Sequence, residues 1–588
     1  MTSVDELFKS SGLPSKRKLD PVRDPSEIYK SAKLSTNGSS RHAHVEDDGP
    51  EDDDIEAGPA PPPEDGEDGD YGPELPPDDE EGRFFGGGIT AQESEILDYV
   101  DGQDEEDTAP EKIDGPWLRK TALKFEQHIN KNAQLRAKYE SEPQKFIQSE
   151  ADLDADIKGL SILGEHPELY PVLVELGTVG SLVGLLAHEN TDIAISAVEI
   201  IGELTDEDVA ATDEQWDALV EALLEADLIG LLVSNFSRLN EAEDEADRSG
   251  VYYALSVIEN LCSRSTTSEQ IGKDEKLLEW LLQRIQKDEK PVTQNKQYAA
   301  EILAILVQSS AANRQKLASL DAADIMLQLV AAYRKRDPEK GGEEEEYMEN
   351  LFEALTCIVD EPEGKAKFID AEGVELCLIM LKEGKLSKAA ALRLLDHAVG
   401  GRNGADMCQK LVDAGGLKTT FTMFMKTKDN QSTEHLVGIF SWMLRLLPGN
   451  SPERIRTLAK FVEKDYEKTE KLVKLRRDYV ARLSFVEEQI VKEQKGMDGE
   501  DKEVMADEWF SRRLDAGLFT LQTIDVILAW LIAEDDGAGK KIKSLLADRD
   551  ETFGVIKTTI QEQLEGIDPD TEDGKETREI LTTLVDFL

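Results

Sequence analysis

Between residues 173 and 424 one arrangement of apolar and polar positions returns six times. An apolar pair is followed by a short acidic or glycine-containing turn, and then by an apolar run at helical spacing. The copies are LVELGTVGSLVGLL from Leu173, LLEADLIGLLVSNF from Leu223, IGKDEKLLEWLLQR from Ile271, LASLDAADIMLQLV from Leu317, FIDAEGVELCLIML from Phe368 and LVDAGGLKTTFTMF from Leu411. Their starts lie 50, 48, 46, 51 and 43 residues apart, and the copy from Ile271 fits least well. Gly177, Gly373 and Gly415 fall at the fifth or sixth frame position, where a tight bend between two helices suits glycine.

Each frame is followed by a further helical stretch, such as TDIAISAVEIIGELT (191–205), NKQYAAEILAILV (295–307) and KAAALRLLDHAV (388–399). In the first, Ala194, Ala197, Val198, Ile201 and Leu204 share one helix face. One such unit cannot bury its apolar faces alone, but stacked copies form a continuous core. The period is that of armadillo and HEAT repeats. The expected fold is all-α: capping helices over 111–170, an armadillo/HEAT-like superhelical array over 171–450, and a helical C-terminal region over 451–588. In that last region 453–496 reads as long charged helices and 508–533 as a buried apolar one.

The N-terminal 110 residues break the pattern. GPAPPPEDGEDGDYGPELPPDDEEG (58–82) has too little apolar surface to bury, so an acidic, disordered N-terminus is expected. Within it, Thr90 and Glu93 match a capping box ahead of Ile96, Leu97 and Val100, which predicts a short helix at 91–100. The formal net charge is −56, with −25 in residues 46–107, +3 in residues 1–45 and −34 in the remainder. A body this acidic repels nucleic acid and anionic membranes, so basic protein segments are the expected partners. Lys16, Arg17 and Lys18 in SKRKLDP read as a nuclear localisation signal, which makes importins expected partners and the nucleus the expected compartment. No apolar N-terminal run suggests a signal peptide, and no run approaches the ~18 residues of a membrane span.

Candidate chemistry is sparse. Cys262, Cys357, Cys377 and Cys408 form no CxxC, so buried or half-buried free thiols are expected. No HExxH or paired Cys/His spacing supports zinc, and no GxSxG or phosphate-binding glycine motif appears; FFGGG (84–88) is not one. Asp396 and His397 are adjacent, and adjacent helical residues do not face each other. DPDTEDGKE (568–576) resembles a calcium loop, but its glycine falls at position seven rather than six. No metal, cofactor or enzymatic activity is expected.

Several stretches carry a family resemblance across most of the helical chain: LKFEQHINKNAQLRAKY (123–139), EPQKFIQSEADLDADI (142–157), ELYPVLVELG (168–177), HENTDIAISAVEIIGELTD (188–206), ENLFEAL (349–355), ALRLLDHAV (391–399) and RRLDAGLFTLQ (512–522). In these it resembles the beta-catenin-like protein 1 family, and the FFGGGI element suggests a fungal-type member. The resemblance implies a non-enzymatic nuclear scaffold of the spliceosome. Implied partners are components of the spliceosome-activating complex, with a U-box ubiquitin ligase and a Myb-domain protein, and basic localisation-type segments of splicing factors. The alternative is an import adaptor of importin-alpha type. Those grip peptides with Trp-x-x-x-Asn pairs, whereas the residues four after the six tryptophans here are Thr121, Val220, Arg284, Leu446, Arg513 and Glu534. The sequence leaves a homodimer open.

In an armadillo array the third helix of each unit lines the concave face. Asp192, Ser196, Glu199 and Glu203 form a polar strip opposite the apolar band of 191–205. Tyr252, Ser256 and Glu259 occupy the same place on the next unit, and Gln297 and Glu301 on the one after. The expected site is therefore an acidic ladder: Asp192, Glu199, Glu203, Ser256, Glu259, Gln297 and Glu301.

Overall fold

A computed structural model describes residues 112–497 and 499–588. The basic cluster at Lys16, Arg17 and Lys18, the FFGGG element and the helix expected at 91–100 lie outside the described residues. Among the described residues every regular element is helical. The fold is an armadillo-type array of six three-helix units. The first runs through Tyr170–Glu175, Thr178–Gly184 and Thr191–Leu204, and the sixth through Ala405–Asp413, Gly416–Lys426 and Asn430–Leu446.

The joint between the first two helices has the same backbone solution in five of the six units. The fifth frame position is left-handed at Gly177 (φ 72°), Asp227 (61°), Asp321 (56°), Glu372 (56°) and Gly415 (73°). Gly373 is therefore not the bend in its unit. It is glycine because a Cβ there would lie 2.5 Å from the Phe368 ring. The Ile271 copy departs from the scheme: Gly272 ends one helix in ordinary αR geometry, and Asp274 caps the next by accepting from the Leu277 N–H (2.9 Å). That difference in turn chemistry is why its sequence fits least.

The third helices stack in one row. Ile147–Gly159 packs on Thr191–Leu204, then come Glu245–Leu261, Gln294–Ser309, Glu343–Ile358, Leu386–Val399, Asn430–Leu446 and Leu518–Glu534, each against the next. The N-terminal helices and the C-terminal region thus extend the row at both ends, and a single apolar core runs beneath it.

The Pro452–Glu493 helix breaks at Glu463, where Lys464, Asp465 and Tyr466 are left-handed. Ahead of the break, Phe461 packs edge-on against Phe421 (4.9 Å) and Phe440 (5.8 Å) of the sixth unit. Arg454, 3% exposed, pairs with Glu534 and donates to the Leu447 carbonyl (2.8 Å). Arg512 pairs with Glu493 and Arg513 with Glu487, so these arginines close a hairpin inside the C-terminal region. The joint of the repeats recurs where RRLDAGLF turns, with Gly517 at φ 96° leading into Leu518–Glu534.

Candidate protein-binding face

The row of third helices carries an uneven charge. The helices Thr191–Leu204, Glu245–Leu261, Gln294–Ser309 and Glu343–Ile358 hold 13 Asp/Glu and only two basic residues, Arg248 and Lys296. Both cations are engaged by backbone: Arg248 Nε donates to the Glu241 carbonyl (3.1 Å), and Lys296 Nζ, almost buried, to the Lys287 carbonyl (2.6 Å).

The polar strip is narrower than helical spacing predicts. Asp192 and Glu203 are exposed, and Glu199, Ser256, Glu259 and Glu301 are half-buried. Ser196 is turned inward: it is buried and donates to Asp154 of the Ile147–Gly159 helix (2.7 Å). Gln297 is also buried, and donates to Glu301 (2.8 Å). These two residues therefore offer no free surface, because the neighbouring helix, or the carboxylate one turn on, takes up their polar groups.

Tyr253 and Tyr298, which lie outside the expected strip, join the carboxylates. Burial pushes the Tyr253 hydroxyl up to about 12, and the adjacent Glu199 adds to the shift by charge and hydrogen bond. Tyr298 donates to Glu259 of the preceding helix and is likewise raised, first by burial. Tyr252 and Tyr298 rings meet at 5.2 Å. Farther along, Glu353 accepts from Gln308 (3.2 Å) and pairs with Arg393 (3.2 Å), linking three successive third helices. The available signal for the two tyrosines was an aromatic residue directly after a strip position, Tyr252 and Gln297.

Elsewhere the chemistry is structural. Asp396 pairs with His435 (3.0 Å) while His397 turns to Asp360 (3.2 Å) in the turn after Glu343–Ile358, so these neighbours point to different partners. Burial pushes the Cys262, Cys377 and Cys408 thiols up to about 12, and all four cysteines are unbridged. In DPDTEDGKE, Thr571 caps the Glu572–Asp586 helix by accepting from the Gly574 N–H (3.0 Å), so the segment is a helix start. Among the described residues no three His, Cys, Asp or Glu side chains are grouped to hold a metal, and no single helix is long and apolar enough to cross a membrane.

Residues 94–561 match the family described as catenin-beta-like, Arm-motif containing nuclear. The chain belongs to this catenin-beta-like family. It is 36% identical over 496 residues to the beta-catenin-like protein 1 homolog of Schizosaccharomyces pombe, covering 84% of this chain and 86% of that protein. It is also 36% identical over 470 residues to human beta-catenin-like protein 1, covering 77% of this chain and 82% of the human protein. Among solved structures, an engineered protein aligns with a TM-score of 0.45 at 15% identity, over 74% of this chain and 94% of that one. In this catenin-beta-like chain the acidic helix row lies inside the matched span, from Thr191 to Ile358.

Proposed function

We propose that this protein is a non-enzymatic nuclear scaffold of the pre-mRNA splicing machinery whose third-helix face holds basic segments of partner proteins. The observation that carries the binding reading is the charge of these helices: 13 carboxylates on four stacked third helices against two cations, both engaged by backbone. A Lys/Arg segment laid across the row meets carboxylates on every helix and donates charge-assisted hydrogen bonds to them. The splicing role and its partners, the Myb-domain and U-box components of the activating complex, rest on the family resemblance. Lys16, Arg17 and Lys18 supply the nuclear address through importins.

The test removes charge without changing shape. Glu199, Glu203, Glu259 and Glu301 are replaced by Gln together. Gln keeps an acceptor for Tyr253 and Tyr298, so the melting temperature stays close to that of the parent. Exposed pairs contribute only about 0.2–1 kcal/mol each, so affinity is shared among several and falls with salt. Binding of a Lys/Arg-rich splicing-factor peptide is expected to weaken at least tenfold, about 1.4 kcal/mol. Equal binding by parent and variant at low salt would move the site off this face.

A further inference from the structure

The turn from second to third helix changes its charge along the array. Taking the last two residues of each second helix with the six that follow, the windows are 183–190, 237–244, 285–292, 329–336, 382–389 and 425–432. Their formal net charges are −1, −2, 0, +3, +2 and +1. In the first two units the protein covers these acids with its own arginines: Arg136 pairs with Glu189, and Arg284 with Glu241 (2.8 Å). From the fourth unit the sign is reversed, in a chain whose formal net charge is −56. Glu343–Ile358 then opens with four glutamates, where this edge gives way to the acidic row.

The three basic turns form one continuous edge. Lys335 of the fourth unit pairs with Glu383 of the fifth (3.2 Å), Lys385 pairs back with Asp337 (3.7 Å), and Ser387 donates to the Tyr333 carbonyl (2.9 Å). The second and third helices of the fifth unit pack on those of the sixth. Beyond the sixth unit, Lys471 donates to the Thr427 carbonyl (3.2 Å) and Arg482 to Asn430 (3.1 Å), which lays the second half of Pro452–Glu493 along the same edge. The acids of the edge are engaged: Glu383 by Lys335, and Asp429 as the cap that accepts from the Ser432 N–H (2.7 Å). Arg334, Lys382, Lys388, Lys426, Lys428 and Lys474 form no ion pair among the described residues, and all but the half-buried Lys388 are exposed. Lys471 feels that surplus: burial first, and then the charge of Lys474, hold its ammonium below the usual lysine range.

We infer that this edge, from the fourth unit to the second half of Pro452–Glu493, docks an acidic extended segment of a partner protein. The assignment is independent of the basic-segment reading of the third-helix face. Charge complementarity selects an anion, and the make-up of the edge selects a peptide. Tyr333 is the one aromatic residue in the three basic windows and is buried, so no exposed ring there offers the stacking on which single-stranded nucleic acid binding draws. A long polyanion also runs onto the acidic turns of the first two units, whereas a short acidic segment ends before them. Screening confines the contest to the edge itself, because charges more than about 8 Å away are largely screened at physiological salt. Packed helices lie about 8–10 Å apart and an extended chain advances about 3.3 Å per residue. Three turns and the flanking helix therefore match about nine residues. With carboxylates on alternate residues, such a segment accepts charge-assisted hydrogen bonds from the surplus cations.

The experiment uses the full chain at about 0.15 M salt and three fluorescein-labelled probes. These are an end-capped nonapeptide of alternating Glu and Ser, a single-stranded RNA of nine nucleotides, and the Lys/Arg-rich peptide of the preceding test. The variant is K382Q/K426Q/K428Q/K474Q, which changes exposed side chains without an ion pair and keeps their stems. It is expected to weaken the Glu/Ser peptide at least fivefold, with the melting temperature and the binding of the Lys/Arg peptide unchanged. K382Q/K428Q repeats the comparison should the quadruple variant fold poorly, with a loss of about twofold. R119Q/K276Q/K492Q/K495Q removes as much charge from exposed, unpaired positions elsewhere and should leave the Glu/Ser peptide within twofold. Equal losses in the two quadruple variants overturn the docking edge, since net charge alone would then account for binding. A Glu/Ser peptide bound equally by parent and K382Q/K426Q/K428Q/K474Q, or not bound by the parent, also overturns it and leaves the acidic face standing. RNA bound more tightly than the Glu/Ser peptide, and lost in the same variant, overturns the protein partner in favour of a nucleic acid.

Discussion

Asp525 is fully enclosed, and Arg476, 4% exposed at its side chain, donates Nε to it at 2.7 Å. Burial pushes the carboxyl up to about 6 from its ordinary 3.8, and Arg476 opposes the shift without cancelling it. The folded chain thus holds this proton more tightly than the unfolded one. The stability contributed by the protonated group is full below pH 3.8 and is lost as pH rises through 6. Replacing Asp525 by Asn removes that dependence. Unfolding free energies from urea titrations between pH 4 and 7 should fall for the parent relative to D525N, by an amount on the order of 2 kcal/mol across the window. Parallel profiles would show that Asp525 stays ionised throughout. No local pattern announced this pair: Arg476 and Asp525 are 49 residues apart, in helices whose contact only the fold creates.

Among elements, the joint between first and second helices is the most legible feature. Its apolar pair, acidic or glycine turn and apolar run stand in the sequence at six places, and five adopt the same left-handed fifth residue. Glycine and Asp accept that conformation easily, which is why either serves, and only Glu372 strains against it. Gly415→Ala places its Cβ in open space, so its cost is backbone alone, about 1–2 kcal/mol. Gly517→Ala adds a clash, because its Cβ would lie 2.4 Å from the Tyr479 ring. Denaturant unfolding should therefore rank G517A below G415A, and both below the parent. The reverse order would mean that Tyr479 swings aside freely. The joint at Gly517 was hidden from a period count because Pro452–Glu493 is inserted between it and the sixth unit.

At the scale of the whole molecule, stability comes from each unit covering the next. The sixth unit is covered by the C-terminal region through Phe461, which is fully buried against Phe421 and Phe440, and through Arg454. A chain ended at residue 450 leaves that aromatic edge open. It should elute as aggregates or oligomers in size-exclusion chromatography and bind a hydrophobic dye, where the full chain does not. A monodisperse, dye-silent truncated chain would show the array to be closed at its sixth unit. Charge acts at the same scale: the formal net of −56 makes association with basic partners steep in ionic strength.

The sequence by itself determined what depends on short-range order. The repeat period, the helical spacing of Ala194, Ala197, Val198 and Ile201, the turn residues and the acidic bias are all local or additive, and they sufficed for the all-α repeat architecture and for an acidic third-helix strip. The tertiary structure alone decided which strip residues stay available. Ser196 and Gln297 share their helix faces with Glu199 and Glu301, yet Asp154 and Glu301 draw them in. It also decided that Tyr298 reaches Glu259, that Asp396 and His397 part company, and that Asn350 is enclosed with its Nδ2 unpaired. The reason is physical: helical periodicity sets the direction in which a side chain leaves its own helix, but burial and hydrogen bonding are set by what the neighbouring helix places there.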